Sequence, residues 1–164
     1  MRKLYPLLSV LFLIGCNVGE EVIEYYDIGN IRSKGVILQN GEKNGQWVYF
    51  FENGDTLKTE RYYKGKLNGF FYQYHQNGKK SGMGEYKNGV KVGNWFVNNE
   101  EGEWIIWENF DKDGKLDGKF IWYYENGQIR EERTYKDGLE NGKRTYYTED
   151  GNINKVEEYK DGQL

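Results

Sequence analysis

The stretch Gly114–Asp137, Gly-Lys-Leu-Asp-Gly-Lys-Phe-Ile-Trp-Tyr-Tyr-Glu-Asn-Gly-Gln-Ile-Arg-Glu-Glu-Arg-Thr-Tyr-Lys-Asp, is one copy of a repeated unit. Its three glycines, at positions 114, 118 and 127, lie at offsets 0, 4 and 13. The same offsets recur in four further copies, which begin at Gly41, Gly65, Gly89 and Gly138. The period is 24 residues, with one inserted residue between Gly102 and Gly114. A fixed period of this length predicts a repeat architecture.

Each copy predicts two β-strands joined by a turn. An aromatic and β-branched run follows the second glycine, as in Phe120–Tyr124, and these residue types favour strands. A pair such as Asn126-Gly127 ends the run and predicts a type I′ turn, because asparagine and glycine accept positive φ. A second, more charged strand then ends in an aromatic residue eight positions after that glycine. Glycine recurs too often for helix.

Consecutive hairpins are expected to pair, so the predicted fold class is all-β: an elongated single antiparallel sheet, a meander with one hairpin per 24-residue repeat. Residues 25–40 form a degenerate half-unit that we expect to cap the sheet. Five repeats follow from residue 41, and a truncated sixth occupies 162–164. Side chains alternate between the faces of a strand, so the aromatic runs place rings on both faces. With no covering layer predicted, part of this aromatic surface is expected to stay exposed or meet a partner.

Residues 1–15 predict a signal peptide. A positive start, Arg2-Lys3, precedes an apolar run that is too short to span a bilayer as a helix. Leu13-Ile14-Gly15-Cys16 resembles a bacterial lipobox, which implies cleavage before Cys16 and lipidation of its thiol. The alternative is an ordinary secretory signal with an incidental cysteine. Residues 16–24 are then expected to be a lipidated tether, and Asn17 favours the outer membrane, so the predicted location is the bacterial cell envelope.

Composition excludes several classes of site and partner. Cys16 is the only cysteine, so the folded part has no disulfide, no cysteine metal site and no thiol nucleophile. The formal charge is −3, and loss of Arg2 and Lys3 with the signal peptide makes it −5. An acidic chain argues against nucleic acid as a partner.

No constellation of residues predicts catalysis, a cofactor or a metal. His75 is the only histidine, and no cysteine or serine motif accompanies it, so triads and zinc sites are unsupported. Three aspartates near Gly114 lack the spacing of a calcium loop and predict a charged turn instead: Asp111, Asp113 and Asp117. The pairs Glu131-Glu132 and Glu157-Glu158 recur among basic residues, which favours solvated strand positions with cross-strand charge pairing over glycosidase carboxylates. The chain is therefore not predicted to be an enzyme.

The pattern Gly-x-x-x-Gly-x-(Trp/Phe)-x-x-(Tyr/Phe)-x-x-Asn-Gly, followed by Tyr-Lys-x-Gly, resembles the bacterial variant of the MORN repeat. The resemblance covers residues 41–164, and 25–40 loosely, with linking segments such as Tyr135-Lys136-Asp137-Gly138. It implies an elongated sheet of hairpins, and many members of the family are antitoxin-like components. The third unit departs most, because Asn98–Glu101 replaces the aromatic end of its first strand.

Three functions remain open. We favour a non-enzymatic protein-binding or scaffold module, since tyrosine and tryptophan flanked by charged residues are typical of interfaces. A glycan or cell-wall binder is the second, because Trp122-Tyr123-Tyr124-x-x-Gly127 resembles choline- or glucan-binding repeats. The third, an antitoxin- or immunity-like protein that neutralises a toxin, follows from the family resemblance alone.

The predicted partner-binding residues lie in the third and fourth units: Trp95, Trp104, Trp107, Phe120 and Trp122. Four of the five tryptophans fall in this span, which also contains the one break in the 24-residue period. An extra residue in an antiparallel ladder predicts a bulge that redirects side chains, often beside functional sites. The tryptophans could equally serve only to pack the middle of the sheet.

Overall fold

The computed structural model of the protein describes residues 19–164, so the predicted signal peptide and Cys16 lie outside the described residues. The described residues form strands and turns and contain no helix. Residues 19–164 therefore contain no helix that is long and apolar enough to cross a membrane. The strands are β1 (Glu20–Tyr25), β2 (Ile31–Ile37), β3 (Lys43–Phe50), β4 (Thr56–Tyr63), β5 (Lys66–Leu67), β6 (Gly69–Tyr74), β7 (Lys80–Lys87), β8 (Val90–Asn98), β9 (Trp104–Phe110), β10 (Gly118–Tyr123), β11 (Ile129–Lys136), β12 (Leu139–Glu140), β13 (Gly142–Tyr147) and β14 (Ile153–Tyr159).

All fourteen strands belong to one open antiparallel sheet in meander order, which confirms the predicted fold class. The strands follow chain order across the sheet, except that the short β5 and β12 pair only with β4 and β11. Each 24-residue unit supplies one hairpin. In β10–β11, for example, Gly118 pairs with Tyr135 and Trp122 pairs with Glu131. Each unit therefore packs on its neighbours in the chain, as in other repeat proteins.

The sheet begins before the residue at which we expected the repeat domain to start. Glu20–Tyr25, in the segment expected to be a tether, forms β1 and pairs with β2 along its length. Val22 and Ile23 are β-branched, and β2 offers an unpaired edge, so extending the ladder satisfies backbone groups that would otherwise face water. The N-terminal cap is therefore a complete hairpin.

The turns differ from the sequence prediction. Type I′ geometry, with positive φ at both central residues, occurs in the links between units: Lys64-Gly65, Asn88-Gly89, Asp137-Gly138 and Asp161-Gly162. At Asn126-Gly127 only the glycine has positive φ, and the loop closes with Tyr124 N–H donating to Gln128 O at 2.8 Å. The type I′ prediction for the Asn-Gly and Asp-Gly hairpin turns was therefore wrong. Three residues, the last a glycine, separate the hydrogen-bonded Tyr124 and Gln128, whereas a type I′ turn fits the two-residue links.

The inserted residue of the third unit lies in a link and not in a strand. The link after Phe110 is one residue longer than the others, and Asp111 N–H donates to Lys115 O at 2.8 Å. Asp111 Oδ1 accepts the backbone N–H groups of Asp113 and Lys115, both at 2.9 Å. The prediction of a strand bulge at this break was wrong, because a turn can absorb an extra residue without shifting the ladder. The prediction of a charged turn around Gly114 is confirmed.

The two faces of the sheet differ in burial. We call one the packed face, because it carries six of the seven buried residues: Ser33, Gly35, Trp47, Glu60, Trp95 and Glu131. The other, the open face, carries the seventh, Ile121. The open face also carries eight of the twelve exposed large apolar side chains: Ile23, Tyr63, Phe70, Val90, Trp104, Leu139, Ile153 and Val156. No second layer covers either face within residues 19–164.

Candidate functional site

The structure divides the five predicted binding residues between the two faces. Phe96 pairs with Trp107 and Trp95 pairs with Glu108, so Trp95 and Trp107 point in opposite directions. Trp122 pairs with Ile106 and so lies on the face of the sheet that Trp107 does not occupy. The packed face therefore carries Trp95, Phe120 and Trp122, and the open face carries Trp104 and Trp107.

The open-face cluster consists of Phe96, Trp104, Trp107, Ile121 and Tyr123. The ring of Phe96 lies 5.5 Å from that of Trp104 and 6.2 Å from that of Trp107, while Trp104 meets Tyr123 edge-on at 6.0 Å. Ile121 is buried beneath these rings, at 4% exposure, whereas Trp104 keeps 48% of its surface in solvent. The cluster therefore combines a buried apolar residue, Ile121, with a large and half-exposed ring, Trp104.

A recurring bulge brings Trp104 and Trp107 to the same face. Strict alternation would place residues three apart on opposite faces. In β9 the register shifts, so that Val97 pairs with Ile106 and Asn98 pairs with Trp104, and Ile105 is the extra residue. The equivalent residue is skipped in the other hairpins: Arg32, Leu57, Ser81, Arg130 and Asn154.

A neighbouring pair of asparagines fixes Trp107 in the open-face cluster. Trp107 Nε1–H donates to Asn94 Oδ1 at 3.1 Å, and Asn109 Nδ2 donates to the same oxygen at 2.7 Å. The indole nitrogen is therefore satisfied within the sheet, which holds the Trp107 ring nearly parallel to Phe96, with an interplanar angle of 4°. Trp104, with no such hydrogen bond among the described residues, is the exposed member.

On the packed face, Trp95 is a packing residue. Its indole ring lies flat on Gly84, where an added Cβ would overlap the ring. Its Nε1–H donates to Glu85 O at 3.2 Å, and Tyr86 packs edge-on at 4.8 Å. Trp47 repeats this arrangement on Gly35, with Nε1–H donating to a backbone carbonyl at 3.1 Å. Both rings are almost fully buried.

This tryptophan-on-glycine contact alternates along the sheet. From the first unit to the fifth, the packed-face residues after the second glycine are Trp47, Phe71, Trp95, Phe120 and Arg144. The residues beneath them on the preceding strand are Gly35, Glu60, Gly84, Glu108 and Arg133. A lysine lies over each tryptophan, with Nζ 4.1 Å from the Trp47 ring for Lys43 and 4.4 Å from the Trp95 ring for Lys91. The first four units thus repeat in pairs.

Glu60 is a buried carboxylate that sequence reasoning did not single out. It is 6% exposed, and it accepts hydrogen bonds from Lys58 Nζ at 2.7 Å and Tyr62 Oη at 2.8 Å. Burial alone would raise the pKa of Glu60, but the hydrogen bonds from Lys58 and Tyr62 outweigh it and lower that pKa. Burial lowers the pKa of the nearby Lys43 ammonium, against the attraction of Glu60.

Glu131 is also buried, which corrects the prediction that it is a solvated strand position. It is 4% exposed and accepts hydrogen bonds from Arg133 Nε at 2.5 Å and, across the strands, from Arg144 Nε at 2.6 Å. The predicted cross-strand charge pairing is therefore confirmed. Burial opposes the charge of Arg133, but its hydrogen bonds to Glu131 and Tyr135 raise its pKa. The sequence did contain a signal for this burial. Side chains alternate between the faces along β11, and Glu131 pairs with Trp122, so Glu131 lies among the packed-face rings.

The remaining predicted residues, Phe120 and Trp122, support arginines. The Arg130 guanidinium lies 4.0 Å from the Trp122 ring centre, and that of Arg133 lies 5.1 Å from the Phe120 ring centre. Such cation–π contacts hold the charged groups in place on the packed face. These two residues therefore belong to a stabilising network distinct from the open-face cluster.

His75 has a structural position. It follows β6 directly, and its Nε2 lies 3.0 Å from Asn98 O in the next unit. Tyr26 and Tyr124 make the same contact through their hydroxyls, to Phe50 O and Tyr147 O. Within residues 19–164, no group of three or more histidine, cysteine or acidic side chains could hold a metal ion.

Two segments of the chain, residues 116–137 and 140–161, match the family model of the MORN repeat variant. These two segments are MORN repeats. MORN repeats are commonly protein- or membrane-binding modules, and the family is generally non-catalytic. Residues 43–64, 67–88 and 91–113 form hairpins in the same frame as the two matched segments. A comparison with curated proteins found no match.

Proposed function

We propose that this chain is a non-enzymatic protein-binding module of the bacterial cell envelope, anchored by lipid on Cys16, and that the open-face cluster binds its partner. The observation that carries the binding proposal is Trp104, half exposed and packed among aromatic rings on a sheet face that no layer of residues 19–164 covers. Large amphipathic rings over an apolar base are the usual anchors of protein interfaces.

The arrangement of the rings favours a protein over a glycan. Sugars stack on flat aromatic platforms, but Trp104 is tilted by 43° from Phe96 and by 66° from Tyr123. Trp104 and the two rings that it contacts therefore do not form one flat platform. Polar groups border the cluster, including Lys119 and Glu132 with 3.7 Å between their charged atoms, and such a rim is typical of interfaces.

Photo-crosslinking in the envelope tests the binding proposal. A photo-reactive aromatic amino acid at position 104, which keeps a large ring there, is expected to form a discrete protein adduct. The same residue at Val97, exposed to 39% on the packed face, is the matched control and is expected to form none. Equal adducts from both faces, or none from position 104, would contradict the proposal. Protection of position 104 by purified cell-wall glycan alone would favour the glycan alternative.

Replacement of Trp104 by alanine separates binding from packing. We expect the adducts formed from a probe at Lys119, on the polar border of the cluster, to disappear while the melting temperature changes little, because half of the Trp104 ring is already in solvent. A large fall in melting temperature would instead support a packing role.

The anchor is tested independently by labelling with radioactive palmitate. The full chain is expected to carry the label, and Cys16→Ser is expected to lose it. Equal label on both, or none on either, would remove the lipid anchor from the proposal and leave the binding face unaffected.

A further inference from the structure

Strand β14 (Ile153–Tyr159) is the last strand of the sheet within residues 19–164. It pairs with β13 on one side, and no strand of these residues pairs with its other side, although Lys160, directly after it, bridges to Gln163. An edge strand presents a row of backbone N–H and C=O groups that can pair with another chain. β14 contains no proline, and two of its open-face residues are exposed, Ile153 to 65% and Val156 to 49%.

The charges on β14 alternate in a way that suits a second β14. On the packed face Lys155 and Glu157 are neighbours, with Nζ 2.6 Å from Oε1. The Lys155 side chain is 60% exposed, so its ammonium is accessible to a strand added at the edge. Tyr146 Oη holds Glu157 from the inner side at 2.9 Å.

We propose that β14 pairs antiparallel with β14 of a second copy of this chain, about a two-fold axis that passes through Val156. Facing residues of a continuous sheet must share a face, so a symmetric pairing must place its axis on a residue. An axis at Lys155 would oppose two lysines, and one at Glu157 would oppose two glutamates, which is unfavourable. An axis at Val156 places each Lys155 opposite Glu157 of the second copy.

The other end of the sheet does not offer the same contact. Strand β1 carries Glu20, Glu21 and Glu24 and no basic residue, so no symmetric register of β1 brings opposite charges together. A β14–β1 contact with Lys155 opposite Glu24 would also place Glu158 opposite Glu21. In this register a β14–β1 contact, which would extend into a filament, is therefore less favourable than the closed β14–β14 dimer.

Charge exchange tests the pairing and its register. The full chain with Cys16→Ser, purified in detergent, is expected to show a monomer–dimer equilibrium in sedimentation velocity. Lys155→Glu should weaken dimerisation at least tenfold, since it places like charges opposite each other. The double exchange Lys155→Glu with Glu157→Lys should restore it. Glu158→Lys, outside the charged pair, is the control. A monomeric parent chain, or a dimer indifferent to Lys155→Glu, would overturn the proposal.

A cysteine at the axis gives an independent readout. In the same Cys16→Ser background, Val156→Cys is expected to form a disulfide-linked dimer on mild oxidation, because the two copies of residue 156 face each other. Ile153→Cys, more exposed but away from the axis, is expected to cross-link less. Stronger cross-linking through position 153 would exclude the Val156 register. Neither experiment uses the open-face cluster, so the dimer and the proposed function stand or fall separately.

Discussion

The packed face and the open face belong to the same strands, yet they use aromatic residues differently. On the packed face, Trp47 and Trp95 lie flat on glycines and are almost fully buried. On the open face, Trp104 rests on other rings and keeps half its surface in solvent. Residue type alone therefore does not separate packing from recognition in this sheet. The residue beneath the ring on the neighbouring strand decides: a ring over a glycine is buried, and a ring over other rings stays partly exposed.

The packed face shows how a single layer can bury large side chains without a second layer. A tryptophan over a glycine covers backbone, and its neighbours cover the ring, with Phe71 at 5.5 Å and Tyr86 at 4.8 Å from Trp95. Long basic side chains close the outer surface, as Lys91 does over Trp95. Each unit thus carries a small core made by residues of adjacent strands.

The largest expected effect comes from removing a packed-face ring. Trp95→Ala should lower the free energy of unfolding by about 3–5 kcal/mol, because it empties a buried site. Trp104→Ala, the matched open-face change, should cost about 1 kcal/mol, since the ring is only half buried. Urea unfolding of both variants measures the difference. Equal losses would mean that the two faces do not differ in their contribution to stability.

A single added methyl group should also break the packed face. Gly84→Ala places Cβ inside the Trp95 ring, and we expect it to lower the free energy of unfolding by about 1–3 kcal/mol. Gly82→Ala is the control in the same strand, because its Cβ would make ordinary contacts, the nearest at 3.6 Å. Thermal unfolding compares the two. If Gly82→Ala proves as damaging as Gly84→Ala, loss of glycine itself is the cause and the ring contact is not.

The smallest effect concerns charge on the packed face. The folded-state pKa of Glu60 lies below its ordinary value of 4.5, so its stabilising contribution is complete above pH 4.5. That contribution is lost as the pH falls through the lower folded-state pKa. Glu60→Gln should cost about 1 kcal/mol near neutral pH and flatten the acid side of the stability curve.

The control for this titration is Glu158→Gln, at an exposed open-face position. Urea unfolding between pH 7 and pH 3 should give it the same pH dependence as the parent chain. An unchanged acid limb in Glu60→Gln would show that Glu60 does not supply this pH dependence.

The sequence was sufficient to predict the repeat, the hairpins and the meander, because glycine spacing and aromatic runs act locally. It was not sufficient to predict which tryptophans share a face. Trp104 and Trp107 are three residues apart, and only the skipped Ile105 brings them together. Bulges depend on how a hairpin closes, and the choice between a three-residue loop and a type I′ turn was the local feature that we assigned wrongly.

The buried carboxylates were missed for a different reason. Glu131 looks like one more charged residue in a charged strand, but Arg144 from the next unit, together with Arg133 of its own strand, pairs with it in a buried position. Burial in this sheet depends on a residue 13 positions away in the chain. Local composition does not predict that contact, whereas the pairing register of the hairpins does.

The pairwise alternation of the packed face constrains how such a chain can grow or shrink. If one hairpin, residues 65–88, were removed, Trp95 would come to lie on Glu60 in place of Gly84, and the glutamate side chain would occupy the space of the ring. Removal of two hairpins would return a tryptophan to a glycine. The unit of duplication compatible with this fold is therefore about 48 residues, twice the period visible in the glycines. Lineages that lengthen or shorten the sheet should do so in steps of two hairpins.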